Sequence, residues 1–363
     1  MPEKVTISLG NLLFAIVTGL LLVLCWQLRS LIVVLMIAVV IAATLAPAIA
    51  TARKLGVPRW LSVIGVYLII IGTLTGVGLI IGPTVVEQIE RLIRRLPSYL
   101  EVLRSLLENL MIRLGMSDPE DSGIISQLLD IQGITSWTIR SSQQLVVRSY
   151  SVTKGIIGSV FSLILALLLS GYMLSGSDKL LQDIINLFPY PLNTKLSLQI
   201  RLVSRRMGGY IQGRILVSAI LGVVISIGLN FLGLADFALG LGVIAGFTNL
   251  IPFFGPVLGS IPALIVAIAQ GGWTALWVFL LFVVIQNLET YVLDPLLVGN
   301  SVKVHPLYQL LAVLGGAQVL GIVGALIVPP WIAGGAVLLE NLYVQPKLAA
   351  EEKNLEYTPV KNL

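Results

Sequence analysis

Charged residues divide the chain into apolar runs. Read between Lys, Arg, Asp and Glu, the sequence offers windows at 5–28, 30–52, 60–86, 155–177, 215–235, 237–288 and 304–339. A bilayer core about 30 Å thick takes about 20 apolar residues of helix, so the first five windows predict one membrane helix each. Window 237–288 is too long for one and predicts two, near 237–269 and 273–293. Window 304–339 predicts one long broken span or a pair of half-spans. The expectation is an all-α polytopic membrane protein of about eight membrane segments. Two of these are broken by Gly and Pro, re-entrant or discontinuous, and one helical soluble insertion interrupts the series. The first window has no small-residue cleavage signal after it, so it reads as a retained span.

The same pattern gives an order of units. Residues 1–82 hold three membrane helices, 83–151 an extracytoplasmic insertion, 152–176 a fourth span, and 177–213 cytoplasmic or interfacial amphipathic helices. Residues 214–345 form a core with the broken spans, and 346–363 a cytoplasmic tail. In the insertion, Ile89, Leu92, Leu96, Leu100, Leu103, Leu107, Leu110 and Leu114 step by threes and fours along one helix face. Pro97 is expected to interrupt and kink this helix, Gly115 to Gly123 to turn the chain, and a second helix to follow with Ile125, Leu128, Leu129, Ile134 and Leu145 inward. A helical hairpin burying one stripe on the other is the expectation; pairing with another subunit is the alternative. Ser177 to Phe188 reads as a capped amphipathic helix ended by Pro189 and Pro191, with Asn193 or Thr194 capping the next.

Composition supports the membrane reading. Apolar residues make up 56% of 363 and charged residues 11%, against about 25% charged in an ordinary globular chain. That leaves too little polar material to cover several soluble domains, and it excludes a disordered chain. Cys25 stands alone, so neither a disulfide within the chain nor a cysteine metal cage is expected. The formal charge of +5 gathers near span ends. Arg53, Lys54 and Arg59 after span two, and Lys179, Lys195, Arg201, Arg205, Arg206 and Arg214 after span four, belong on the cytoplasmic side. Both termini then face the cytoplasm of the cell's inner membrane. Arg91, Arg94, Arg95, Arg104, Arg113, Arg140 and Arg148 oppose this count, but long segments translocate largely regardless of charge. Arg201, Arg205 and Arg206 fit a basic face at lipid headgroups, with an anionic substrate as the alternative.

The chemistry concentrates in the broken spans. Thr248-Asn249-Leu250-Ile251-Pro252-Phe253-Phe254-Gly255-Pro256-Val257-Leu258-Gly259-Ser260-Ile261-Pro262 puts three prolines inside one uncharged stretch. Each proline removes an amide donor and crowds the carbonyl four residues back. In hydrocarbon, freed backbone groups persist only where protein or a water-lined cavity satisfies them. A second interruption runs through Gly315, Gly316, Gln318, Gly321 and Gly324 to Pro329-Pro330. Paired interruptions of this kind point to a transport site near the bilayer midplane; close helix packing through small residues is the competing explanation. Packing is the only role expected of Gly72/Gly76, Gly78/Gly82 and Gly242/Gly246.

Between the interruptions lie Gln286, Asn287, Glu289 and Asp294-Pro295. A carboxylate inside a membrane helix costs roughly 2.5–3.5 kcal/mol on insertion scales, so it faces a cavity or a partner. Glu289, assisted by Asn287 and Asp294, is the candidate for binding a cation or exchanging a proton. An interior ion pair with Arg214 is the alternative for Glu289, and a helix-end position at the headgroups is the one expected of Asp294. The expected pathway residues are Asn249, Pro252, Gly255, Pro256, Gln286, Asn287, Glu289, Asp294 and Gln318. The expected gate or helix-break residues are Gly259, Pro262, Gly315, Gly316, Gly321 and Gly324. His305 precedes Pro306 and marks a boundary, with pH sensing as the alternative. No cofactor, metal or nucleic acid is called for.

Gly209-Tyr210, Gly213-Arg214, the run Ile251-Pro252-x-x-Gly255-Pro256-x-x-Gly259-x-Ile261-Pro262-Ala263, then Glu289, Asp294-Pro295, Gly299, Val302, His305-Pro306, Gly315-Gly316, Gly321 and Gly324 follow one another here. In this order they resemble the autoinducer-2 exporter family of permeases, most densely over 172–330. The resemblance implies a multispan transporter assembling as a homo-oligomer, a pentamer. Substrates in the family include the furanone autoinducer-2 and, in other members, sodium exchanged for protons. The motif at 251–256 and the Glu289 region are the implied pathway. Family members often carry an acidic residue just before Leu-Ile-Pro; here Asn249 holds that place, which leaves Glu289 as the titrating candidate.

Three classes remain to be weighed. A secondary transporter or facilitator comes first; with no Gly-x-x-x-x-Gly-Lys-Ser/Thr loop in the sequence, ATP does not drive it through this chain. An oligomeric channel or scaffold is the second. An intramembrane aspartyl protease is a remote third, since Asp236 and Asp294 would have to share a proton.

Overall fold

A computed structural model describes residues 9–113, 149–299 and 305–356 of the chain. The described residues are almost wholly helical. In order they form α1 (Leu9–Gln27), α2 (Arg29–Lys54), α3 (Arg59–Arg113), α4 (Ser149–Ser175), α5 (Ser177–Asn186), α6 (Leu192–Phe231), α7 (Ala238–Thr248), α8 (Phe254–Gln270) and α9 (Gly272–Leu288). A π-helical segment (Glu289–Gly299) continues α9. Then come α10 (Pro306–Leu339), a π turn (Glu340–Val344) and α11 (Gln345–Glu356).

Five of these helices are long and apolar enough to cross a bilayer, and a sixth is reached by taking α4 with α5, which bends away from it at 87°. The expected eight segments are therefore not all recovered as spans. The difference lies mainly in the broken windows, because there the chain turns back. Between α7 and α8 the backbone reverses over Asn249–Phe253, with Phe253 at φ 66°. A Cβ on Gly259 would lie 2.7 Å from the Cα of Ala245, and one on Gly255 would collide with the carbonyl oxygen of Thr248. The two helices thus run side by side as a hairpin. At 11 residues, α7 is about 16 Å long, half the hydrocarbon thickness.

A second hairpin is hidden inside α10. Gly321 stands at φ 64°, ψ −149°, a region open essentially to glycine alone. Beyond it the helix folds back, so that Gly316 and Gly324 meet backbone to backbone. The two interruptions expected from the sequence both fall at reversals of the chain, and each joins two helical limbs in a hairpin. Pro262, Pro329 and Pro330 stay inside helices; of the prolines, Pro252 marks the actual turn.

α6 organises the rest. Met207, Tyr210, Arg214, Val217, Ser218, Leu221, Ile225 and Leu229 form one buried stripe along it, and most of the largest apolar cluster gathers there, with Leu241, Ala245, Ala263, Val266, Val278 and Ile285 from the neighbouring helices. Gly242 and Gly246 pack against Gly222 as the small-residue spacing implies, whereas Gly72, Gly76, Gly78 and Gly82 meet nothing within 4 Å.

Several local expectations need correction. α6 is one helix of 40 residues, not an interfacial helix followed by a span, so Arg214 lies within it. Its N-cap is Pro191, and neither it nor α5 has a side-chain cap. α3 runs unbroken through Pro83 and Pro97. The first half of its leucine stripe packs on the first hairpin: Leu92 joins the main cluster, and Gln88 Oε1 accepts the Gly240 amide at 2.7 Å. The expected turn at Gly115–Gly123 and the second limb of the insertion lie outside the described residues.

Candidate functional site

The stripe on α6 carries three polar side chains one turn apart, Tyr210, Arg214 and Ser218, all buried. On an α-helix such spacing points side chains to one face. Two of them, Arg214 and Tyr210, bond to other elements. Arg214 Nη1 donates to Glu289 Oε1 at 2.9 Å and to Asp294 Oδ1 at 3.3 Å, both on the π segment, and Nη2 donates to Asn249 Oδ1 at 3.3 Å. Asn249 Nδ2 in turn donates to Glu289 Oε1 at 3.2 Å. Gln309, on the first limb of the second hairpin, donates to the Tyr210 hydroxyl at 3.3 Å. Arg214 Nε and Ser218 Oγ are buried without a partner.

The local fold explains this convergence. Asn249 caps the C-terminus of α7, so the hairpin turn delivers its carboxamide. Gly213 lets α6 approach the π segment until its Cα faces the Leu297 carbonyl, where a Cβ would collide. The π winding carries Glu289 and Asp294 toward one guanidinium; such segments are frequent at functional sites. The ion pair of Glu289 with Arg214 is thus present, and Asp294, expected at the headgroups, also turns inward to Arg214.

A cavity of about 320 Å³ opens onto this cluster. It runs between α8 and α9 from Leu264 and Phe279 to Asn249 and Glu289, with Pro256, Gln286 and Asn287 also in its wall. Gln286 and Asn287 are bonded locally, to Thr290 and to the Val283 carbonyl. Pro252 and Gly255 are buried in and beside the turn, while Gln318 and Gly315 are exposed on the second hairpin, outside the cavity. The structure therefore joins Asn249, Pro256, Gln286, Asn287 and Glu289 around one space, places Asp294 behind it, and leaves Gln318 apart.

The lipid-facing expectation divides. Arg201 and Arg205 are exposed, but Arg206 is turned inward to Glu340 at 3.7 Å, and nearby Asn341 donates to Gln199 at 2.6 Å. His305 caps α10, its Nδ1 accepting the Leu307 amide, which is the turn role expected of it. Asp236 lies in the turn beyond Phe231, 17 residues past Arg214 and so about 25 Å along α6. That separates it from Asp294 and removes the basis for an aspartyl dyad.

The sequence offers Arg214 only as the alternative partner of Glu289 and Tyr210 only within the family motif, and it does not single out Ser218 or Gln309. Counted by charge alone, Arg214 closes a cytoplasmic segment. The available signal was its place in the series Tyr210, Arg214, Ser218, Leu221, Ile225, which continues the core stripe through the supposed boundary.

A family model described as AI-2E family transporter matches residues 12–343. The chain belongs to the AI-2E transporter family. Relatives of this AI-2E chain include two from Bacillus subtilis, both named as transport proteins. YueF is 28% identical over 76% of this chain and 74% of its own length, and YrrI 29% identical over 83% and 84%. Escherichia coli PerM, named as a permease, is 26% identical over 70% of this chain and 71% of its own. The AI-2E chain is a multi-pass membrane protein of a transporter family, and the resemblance seen in its motifs holds over nearly its full length.

Proposed function

We propose that this AI-2E chain moves a small polar solute or signal molecule, or a cation, across the cytoplasmic membrane, coupled to a proton or sodium gradient. The pathway is the cavity between α8 and α9, ending at Asn249 and Glu289. The observation that carries this reading is the charge of the cluster behind the cavity. Two carboxylates, Glu289 and Asp294, converge on one guanidinium, and of the two Glu289 is the buried one that lines the cavity. Buried charge is costly unless compensated, and a proton or a cation arriving through the cavity supplies the compensation. The same observation favours an ion exchanger as the second reading; an oligomeric channel differs from it only in how the flux saturates.

The internal contacts support a sidedness. Each hairpin begins and ends on one face of the membrane, which leaves α1, α2, α3, α4, α6 and α9 with its π segment as crossings. Arg59 pairs with Asp178, and Arg206 with Glu340, so the starts of α3 and α6 and the end of α10 share a face. Arg53, Lys54, Lys179, Lys195, Arg201 and Arg205 lie toward that face, which reads as cytoplasmic, with both termini there and the two hairpins inserted from opposite sides. Arg201 and Arg205 then meet lipid headgroups. The reading includes a homo-oligomer, five copies as the resemblance implies, with the open apolar faces of α1 and α3 as available surface.

Glu289→Gln removes the carboxylate charge from the cavity wall while keeping the shape of the side chain. Gradient-driven flux of reconstituted protein should fall to that of empty liposomes, with the oligomer unchanged on size exclusion. A counterflow screen against sodium, protons, small sugars and furanones identifies the solute; normal flux by the variant with every one of them removes Glu289 from the pathway. Saturable uptake marks a carrier, and steady current across a planar bilayer marks a channel.

A further inference from the structure

The cluster is asymmetric about Arg214. Its Nη1 lies closer to Glu289 than to Asp294, at 2.9 against 3.3 Å. The Glu289 side chain is 4% exposed and faces the cavity, whereas that of Asp294 is 41% exposed and is not part of the cavity wall. One guanidinium nitrogen therefore stands between a buried carboxylate on the cavity and a more exposed one beyond it. Burial makes an uncompensated charge costlier on Glu289 than on Asp294, so the shared cation is drawn toward Glu289 while the cavity holds no other positive charge. Arg214 Nη2 and Glu289 Oε1 both hold Asn249, so the same contacts fasten the turn of the first hairpin across the inner end of the cavity. Arg214 Nε, buried and unpartnered, leaves the guanidinium held along one edge only.

We infer that Arg214 is a movable counter-charge and Asp294 the second station of the pathway. This rests on the proposed entry of positive charge through the cavity. A cation or proton reaching Glu289 cancels its hold on Arg214, and the guanidinium passes to Asp294, already within hydrogen-bond distance. Asn249 loses a partner in that step, and the hairpin turn is released from the π segment. When Glu289 is emptied, Arg214 returns and the turn is fastened again. Among the described residues, the groups facing Arg214 are Tyr210 from α6, Glu289 and Asp294 from the π segment, and the neutral Asn249 from the first hairpin, while Gln309 of the second hairpin is bonded to Tyr210. No second cation competes there for the carboxylates. In this scheme Arg214 is a positioning residue, and its charge rather than its shape is what matters. A fixed ion pair that merely fastens α6 to the π segment is the contrary arrangement.

Thiol labelling distinguishes the two without requiring a transported solute. In full-length reconstituted protein carrying Cys25→Ser, Ser260→Cys places one thiol in the cavity wall. A membrane-impermeant cationic methanethiosulfonate reagent is applied to each face of the vesicles in turn. The Ser260→Cys protein should react from one face. Adding Glu289→Gln, which imitates the neutralised station, should raise reaction from the opposite face at least about tenfold, since a hydrogen bond to a charged group is worth more than that factor. Adding Asp294→Asn as well should abolish the rise, because the displaced guanidinium then has no second station. Arg214→Lys should keep the one-sided pattern, which shows that a positive charge suffices and guards against misfolding of more drastic variants. Labelling that Glu289→Gln leaves unchanged, or a rise that persists with Asp294→Asn, overturns the inference. Lost flux with unchanged labelling overturns the moving counter-charge but keeps the pathway; altered labelling with normal flux overturns the pathway itself.

Discussion

Arg214→Gln is expected to lower the stability of the folded protein by about 3–5 kcal/mol, the range found when one partner of a buried ion pair is removed. The loss arises because Glu289, with a side chain 4% exposed, has only Asn249 left as a donor and must either hold a buried charge without its counter-ion or take up a proton, and both cost free energy. The measurement is thermal unfolding of the purified protein in detergent or nanodiscs. Adding Glu289→Gln to Arg214→Gln removes the orphaned charge and should recover most of the loss, since replacing a buried pair by neutral groups is far less costly than breaking it. The recovered double variant should still carry no gradient-driven flux. Wild-type melting by Arg214→Gln alone would mean that the cluster contributes nothing to stability and that its charges are compensated in some other way.

Gly255→Ala and Gly316→Ala are expected to be among the most damaging of the conservative glycine substitutions. A methyl on Gly255 would collide with the Thr248 carbonyl and lie 2.5 Å from the Cα of Asn249, and one on Gly316 would collide with the Gly324 carbonyl. These neighbours are backbone, which cannot step aside as a side-chain tip does. Overpacking typically costs 1–3 kcal/mol, and here about the upper end is expected because relief requires the hairpin limbs to part. Gly315→Ala and Gly72→Ala, where nothing lies within 4 Å, should be tolerated. Paired measurements of expression and melting temperature check this. Equal tolerance at all four positions would show that the limbs do not pack at the contact distance described.

The fold was legible where composition alone decides it. Apolar windows between charges locate α2, α4 and α9 to within a few residues, because hydrocarbon thickness fixes their length. Charge was a poorer guide to boundaries. Arg214 ends a window in the sequence yet lies in the middle of α6, since the buried Glu289 and the half-buried Asp294 compensate it, and of these pairings the sequence offers only the one with Glu289, as an alternative. The prolines misled in a similar way. Pro83, Pro97 and Pro262 lie inside continuous helix, and of those in the first broken span Pro252 alone marks the turn. Gly321 was legible as a break, but that the limbs reverse and touch at Gly316 and Gly324 follows from a single backbone conformation. Of the expected site, Asn249 and Glu289 were found because a polar residue in oil needs a reason. Gln318, chosen by the same rule, lies on an exposed stretch of the second hairpin. Tyr210 and Gln309 were overlooked, being amphipathic residues that looked ordinary at a helix face.

The unbroken course of α3 has a further consequence. Its 55 residues make a rod about 80 Å long, of which the bilayer can hide less than half. Part of the rod lies across the foot of the first hairpin, with Gln88 on the Gly240 amide, Leu92 in the core, Arg95 over the Phe237 ring at 5.8 Å and Tyr99 edge-on to it at 6.4 Å. The start of α7 is thus braced by a helix that lines no part of the cavity. Any force that tilts the far end of this lever is delivered to the root of the hairpin.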